Sequence, residues 1–581
     1  MKLYDRNLGK YFLLIYTILF LYFSGIFENL NGNFPECIGV CNNPNINNPI
    51  LLVGISLLFV ILILVHDKLF IYLNINNLNK NIFYISITTI IILLFYITSW
   101  DMDSDDKWLG YRISKNVIEH GLHYWNPREL INISTSTVWP YVASLAHLAV
   151  EYLGIKWELA IKLLGLSIYA LIGIYIYKMK INSNTVKMFI FTGVISYFPL
   201  VYWSISGLET VLACLLIIII INNVYMYGFT PKTWVLYGSI IFIRPEFIIA
   251  PAVSILINIL FNKNKKYFAR FIIPSLSLGI VTLLWVLINY FIWGDPFPTP
   301  FYLKSLFHNP FTDSLTWYFK GTNALIHLVS SFLQSTFLLF GICLLFYVSF
   351  NLIFRWKSNL INNEVMIRAV TLFIGFFAVA IYHVISGYMH MSYVFRYFLP
   401  VNIAFIVLSG LVLYIMQDQN KPNELIKKTT LFGFTLIQCL VFYISGTYSS
   451  NVELSLTRAK HRDAFSGGAY LGHITGWRYI GNTLRSIEAP DDRIWVKDGT
   501  NLVGAALTNM YALDGYYSPL KMSKFDSIKN CSSIITCAQH FNYVMAREDD
   551  GDAKELLKDK KYTILIKEHG VVVYKNHERA Y

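Results

Sequence analysis

The stretch SDDKWLGYRISKNVIEHG, from Ser104 to Gly121, gathers two adjacent carboxylates, a guanidinium and an amide: Asp105, Asp106, Arg112 and Asn116. Written on a helix with Ser104 as N-cap, at ~100° per residue, Asp105, Trp108, Arg112, Asn116 and Glu119 share one stripe. Leu109, Ile113 and Val117 form an adjoining apolar stripe. Acids at the positive end of a helix have two uses. They offset the macrodipole as an ordinary solvated start, or one of them takes a proton from an acceptor hydroxyl as general base.

Further charges recur in apolar surroundings along the chain: Glu209 in SISGLET, Arg244 and Glu246 in IRPEF, Lys304 in FPTPFYLKS and Arg396 in SYVFRYFLP. Such groups are costly near hydrocarbon unless they pair or line a cavity. Brought together, they would make a polar pocket in which cations hold a phosphate leaving group while an acid handles the proton. His383 and His390 flank SGY close to Arg396. They have either a substrate contact or the commoner packing role. Glu209 reads equally as a paired structural carboxylate. Asp498 and Asp514 read as turn residues.

The elements that must position these residues are membrane helices. The chain has 581 residues, 55% hydrophobic, 16% aromatic and only 14% charged, with a mean hydropathy of +0.49. Its apolar runs are too long and too many for a soluble core. The net charge of +12 sits in short connections between those runs, where Lys and Arg act as topology signals; this argues against a nucleic-acid partner. Lys2, Arg6 and Lys10 precede an apolar run with no small-residue cleavage site, which reads as a retained anchor with the N-terminus inside.

Alternation of the basic connections predicts about thirteen crossings, at 11–27, 50–66, 82–100, 157–177, 188–203, 210–228, two within 233–262, 271–292, 325–350, 369–386, 397–416 and 429–446. The apolar segment 138–153 must then be re-entrant or interfacial. Residues 1–81 form an additional N-terminal hairpin. Residues 82–446 form the main membrane domain, with a first outer loop at 101–140. Residues 447–581 form a soluble outer domain of α/β type, with strands in RIWVKDG and YTILIKEHGVVVYK and a helix in DAKELLKDK. Of the seven cysteines, Cys37, Cys41, Cys531 and Cys537 fall outside by this count, where two disulfides, Cys37–Cys41 and Cys531–Cys537, can persist. A zinc site from the same four is the rival.

The segment DDKWLGYRISKNVIEHGLHYWNPRELINISTSTVW resembles the first outer loop of the GT-C membrane glycosyltransferases, in particular the mycobacterial terminal arabinofuranosyltransferase family. The acid pair, Arg112, Asn116, Gly121, Asn126, Pro127, Glu129, Thr135, Ser136 and Trp139 match in identity and spacing. Lys107, Arg128 and Thr137 depart from the pattern. SGLET, RPE, GDPFPTPFYLK, RYFLP and, in the tail, VKDGTNLVGAAL before LDG follow in order, so the resemblance runs from residue 101 to the C-terminus.

The resemblance implies an inverting glycosyltransferase at the bacterial inner membrane, with its site and outer domain on the periplasmic side. Its donor is a sugar carried on polyprenyl phosphate, and its acceptor is a glycan or lipid-linked molecule. It also implies an acid of this loop, Asp105 or Asp106, as catalytic base; by their chemistry Arg112, Arg244, Lys304 and Arg396 are the candidate holders of the donor phosphate, and Asn116, Asn126, Thr135, Ser136, Trp139, Glu209, Glu246 and His383 the candidate substrate contacts. A divalent cation on Asp103, Asp105 and Asp106 is an open alternative to a solvated acidic loop. No nucleotide-binding GxxxxGK[ST] loop occurs. The rival readings are a polysaccharide polymerase or ligase and a secondary transporter; the transporter lacks support from any internal repeat.

Overall fold

The computed structural model describes residues 105–126, 129, 132–195, 197–261, 272–300, 328, 331–332, 335–353, 364–386, 396–420, 469–489, 491–497, 502–514, 538–548, 550–568 and 571–578, and elements are numbered within these. The expected crossings at 11–27, 50–66, 82–100 and 429–446 lie outside the described residues. So do Asp103, Lys304, His390, Asp498, Cys37, Cys41, Cys531 and Cys537.

The acid-led segment is helix α1, Asp105–His120. It ends at Gly121, whose φ of 77° and N–H bonded to the Val117 carbonyl are those of a left-handed C-terminal cap. Helix α2, Trp139–Leu153, packs beside α1 and opens with a proline in its first turn. Its 15 residues fall short of the roughly 20 that a crossing needs.

Among the described residues five helices are long and apolar enough to cross a membrane: α3 (Trp157–Lys178), α6 (Thr210–Tyr227), α9 (Ile273–Trp293), α11 (Glu364–Ser386) and α12 (Leu399–Asn420). A sixth path, expected as one crossing at 188–203, is broken into α4 (Asn184–Ile195) and α5 (Phe198–Ile205), inclined by 59°. Pro199 supplies the reason: it lacks an N–H to continue the ladder and restricts the residue before it. The expected pair within 233–262 is α7 (Pro231–Gly238) and α8 (Ile249–Phe261), joined by two 3₁₀ turns with Arg244 extended between them. α10, Thr336–Ile353, is a further apolar helix. The count of thirteen is not confirmed: among the described residues there are five such helices, or six if the bent pair is one span.

Close packing of these helices rests on small residues, since lipid offers no hydrophobic drive for association. A Cβ on Gly165 of α3 would run into the backbone carbonyl of Ser204 on α5, and one on Gly375 of α11 would meet the Ala250 carbonyl of α8 at 2.7 Å. Buried polar groups pair internally: Asn402 of α12 donates to the Tyr197 hydroxyl at 2.8 Å and to the Ser331 hydroxyl at 3.0 Å.

The C-terminal part is the expected α/β unit. α13 (Ala469–Ile487) and α14 (Leu502–Leu507) pack together beside a five-stranded sheet of order β2-β1-β3-β5-β4. Strands β1 (Arg493–Val496), β2 (Tyr511–Asp514) and β3 (Tyr543–Arg547) run parallel, whereas β4 (Tyr562–Glu568) and β5 (Val571–Asn576) add an antiparallel hairpin. β2 is an edge strand, and Trp125 and Asn126 of the loop that follows α1 bond to that edge at Ala512.

Candidate functional site

Four turns that are far apart in sequence deliver alternating charges to one place. Asp106 comes from the first turn of α1, Glu209 from the turn before α6, Arg244 and Glu246 from the link between α7 and α8, and Arg396 from the turn before α12. Gly207, at φ 76°, bends the chain so that Glu209 faces inward, and the stem of Lys107 lies against it.

Arg396 bridges two acids. Its Nη1 donates to Asp106, and its Nη2 donates to Glu209 Oε1 at 3.1 Å. The same Oε1 accepts from Arg244 Nη1 at 2.9 Å, and Arg244 Nε lies 3.1 Å from Glu246 Oε1. The result is a continuous chain Asp106–Arg396–Glu209–Arg244–Glu246. Side-chain exposure is 3% for Arg244, 6% for Glu209 and 10% for Arg396. Burial alone would raise the Glu209 carboxyl, but the guanidiniums of Arg396 and Arg244 outweigh it and hold it down at about 2. Glu209 is therefore a fixed anion, suited to orienting both arginines and unsuited to accepting a proton near neutral pH.

Two donors of this chain point elsewhere. Nη2 of Arg244 and Nε of Arg396 are buried and have no hydrogen-bond partner among the described residues. Buried guanidinium N–H groups are expensive to leave unmatched, and an incoming anion with several acceptor oxygens would match them. Aromatic faces complete the setting: Arg396 lies 5.5 Å from the Trp203 ring and Arg244 5.2 Å from the Tyr397 ring, beside which His383 packs at 5.5 Å. Neither Trp203 nor Tyr397 was anticipated from sequence. The only signal was the place of Tyr397 within RYFLP and of Trp203 shortly before SGLET.

The other expected site residues divide. Asp105 opens α1, and the direction of its side chain lies outside the described residues. Ser136 accepts from the N–H of Trp139, the first residue of α2, at 2.9 Å, while the neighbouring Thr137 and Val138 N–H groups bond to the Phe242 carbonyl. Thr135 is half-buried in the same turn, and Trp139 is buried. Arg112, Asn116 and Asn126 do not join the charge chain. Asn116 donates to the Tyr124 carbonyl at 2.7 Å, and Arg112 and Asn126 reach the C-terminal domain. The expectation that Arg112 holds phosphate therefore meets a guanidinium already occupied by protein acceptors. Among the described residues, no three His, Cys, Asp or Glu side chains form a metal-holding group.

His123 is a buried imidazole in the loop that follows α1. Nε2 meets Asn132 Oδ1 at 3.2 Å, the ring packs 4.6 Å from Trp293, and burial pulls its pKa down to about 4. A folded pKa below the unfolded ~6.5 means that the unfolded chain binds the proton first. Stability is full above that value and falls as pH drops toward 4. Melting in detergent from pH 7 to 4.5 should show this loss, and His123→Gln should lessen its slope. An unchanged slope would assign the acid sensitivity to other groups.

No protein-family model matches the chain, and no curated protein sequence does. Among the solved structures similar to it are two of ArnT from Cupriavidus metallidurans. One is bound to undecaprenyl phosphate (TM-score 0.51) and the other is in the apo state (TM-score 0.52). Each is 11% identical over 84% of this chain and 97% of theirs. At that identity the likeness speaks for the fold alone. It shows that this mostly helical chain with a small C-terminal sheet shares the fold of ArnT, and it does not reach the arabinofuranosyltransferase subfamily.

Proposed function

We propose that this protein is an inverting glycosyltransferase that moves a sugar from a polyprenyl-phosphate donor to a cell-envelope glycan or other extracytoplasmic acceptor. Its site and C-terminal domain lie on the periplasmic side of the inner membrane. The observation that carries this reading is the buried arginine pair, Arg244 and Arg396, fixed by Glu209 and still holding unmatched N–H donors among the described residues. That is the arrangement a phosphate leaving group requires as its charge develops. The collinear motifs around the first outer loop favour this class over a transporter, and the fold shared with ArnT, one of whose structures binds undecaprenyl phosphate, supports it. Relation to the arabinofuranosyltransferases is the finer form of the proposal and rests on the loop motif alone.

In the proposed reaction the acceptor O–H gives its proton to a carboxylate of α1, with Asp105 favoured. The acceptor oxygen then attacks the anomeric carbon as the bond from that carbon to the phosphate oxygen breaks. The electron pair stays on the phosphate, which leaves as polyprenyl phosphate, and the anomeric centre inverts. Asp106 is held by Arg396, so its role is to place the start of α1 against the phosphate site. Lys304 belongs to the proposed phosphate set by sequence, and Glu246 and His383 belong to the proposed substrate contacts.

Polyprenyl phosphate added to the purified protein should raise its melting temperature, with about 2.7 kcal/mol of stabilisation at a hundredfold excess over Kd. Arg244→Met should lose most of that shift. A wild-type protein indifferent to the lipid phosphate would remove the basis for the proposal.

A further inference from the structure

We propose that Arg112 is a positioning residue through which the C-terminal domain sets the catalytic acids in place. The inference rests on the transferase reading above and adds a role for the soluble domain.

Arg112 is buried, and all five N–H donors of its guanidinium are matched. Nε donates to the Trp125 carbonyl at 2.6 Å and Nη2 to Asn126 Oδ1 at 2.9 Å, both in the returning outer loop. The others reach the C-terminal domain: Nη1 to the carbonyls of Ala505 at 2.8 Å and Thr508 at 3.1 Å, and Nη2 to that of Met510 at 2.7 Å. Three carbonyls, one in α14 and two just beyond its end, thus converge on one cation. Burial draws the guanidinium down only to about 10, so it stays charged under working conditions.

Asn126 closes the same joint. Its Oδ1 accepts the Ala512 N–H at 3.0 Å while its Nδ2 donates to the Ala512 carbonyl at 3.0 Å. Trp125 Nε1 donates to that carbonyl as well, at 3.1 Å. One side-chain amide thereby imitates a neighbouring strand along the edge strand β2, satisfying an otherwise bare edge. The loop and the domain are therefore joined by backbone-directed bonds, which fix geometry more tightly than surface ion pairs.

Seven residues of helix separate Arg112 from Asp105, a rise of about 10 Å along the same stripe. A rigid helix held at Arg112 carries that constraint to its first turn. Because a displacement near 1 Å at a reacting group can cost on the order of 10²-fold in rate, such an anchor acts chiefly on turnover, while Glu209, which lies outside α1, continues to hold Arg244 and Arg396.

The test is steady-state transfer by the full-length protein carrying Arg112→Lys, which keeps the charge and loses the fork, or Asn126→Ala, which removes the Ala512 pairing. Rates are normalised to the fraction of protein that binds polyprenyl phosphate, so that misfolded molecules do not count. Expected for both is a kcat lower by about tenfold or more, with donor KM and lipid-phosphate stabilisation within about twofold of wild type. Asp105→Asn serves as the control that reports on the reaction itself. If wild type is active, Asp105→Asn is dead and both variants keep full kcat, the positioning proposal fails while the transferase reading stands. A raised donor KM with unchanged kcat in Arg112→Lys would instead make Arg112 a phosphate ligand and overturn the proposal. Failure of wild type to transfer any sugar removes the reading beneath it.

Discussion

Asp105→Asn is expected to lower sugar transfer by roughly 10² or more, while the protein stays folded and continues to bind polyprenyl phosphate. The substitution keeps the shape of the side chain and removes its basicity. Asp105 starts α1, which the C-terminal domain grips two turns later at Arg112. Its neighbour Asp106 is paired with Arg396. Asp106→Asn should therefore act differently: it loosens Arg396 and weakens donor binding more than it slows the proton transfer. Near wild-type transfer in both single variants and in the double variant would show that the acids are only a helix start.

The second large effect is on stability as well as activity. Arg396→Met removes the cation shared by Asp106 and Glu209, leaving Glu209 with only Arg244 as its cation among the described residues. Breaking a buried pair by deleting one partner costs about 3–5 kcal/mol, so the melting temperature in detergent should fall sharply and donor-dependent transfer should be lost. Adding Glu209→Gln should return part of the lost stability, because the anion left with one of its two cations is then gone, without returning transfer. Equal melting of wild type and Arg396→Met would mean that the charge chain does not hold the helices together.

How much of this was legible in the sequence follows from the kind of interaction involved. Charges in apolar surroundings announce themselves, because hydrocarbon penalises any that do not pair. Glu209, Arg244, Glu246 and Arg396 were identified on that ground and do converge, joined by Asp106. Break residues were equally visible at Arg244–Pro245. The same rule at Pro199 was passed over, because a hydropathy window averages across the proline. The role of Arg112 could not be read from its helical stripe. Its partners in the C-terminal domain are main-chain carbonyls 393 to 398 positions away, and a carbonyl is present at every residue whatever the side chain. Asn126 shares this blindness, since its partner is the backbone of Ala512. Sequence motifs show that such residues matter to a family and leave open whether they touch substrate or hold the loop that does.

The central claim, sugar transfer from a lipid phosphate, is tested most directly by purified protein in lipid bilayers supplied with a polyprenyl-phosphate-linked sugar and a glycan acceptor. The measurement is the polyprenyl phosphate released together with the anomeric configuration of the product. The account predicts one lipid phosphate freed for each sugar transferred, inversion at the anomeric carbon and no stimulation by nucleotide sugars. Movement of the intact donor across the bilayer without release of lipid phosphate, or transfer with retained configuration, would contradict it.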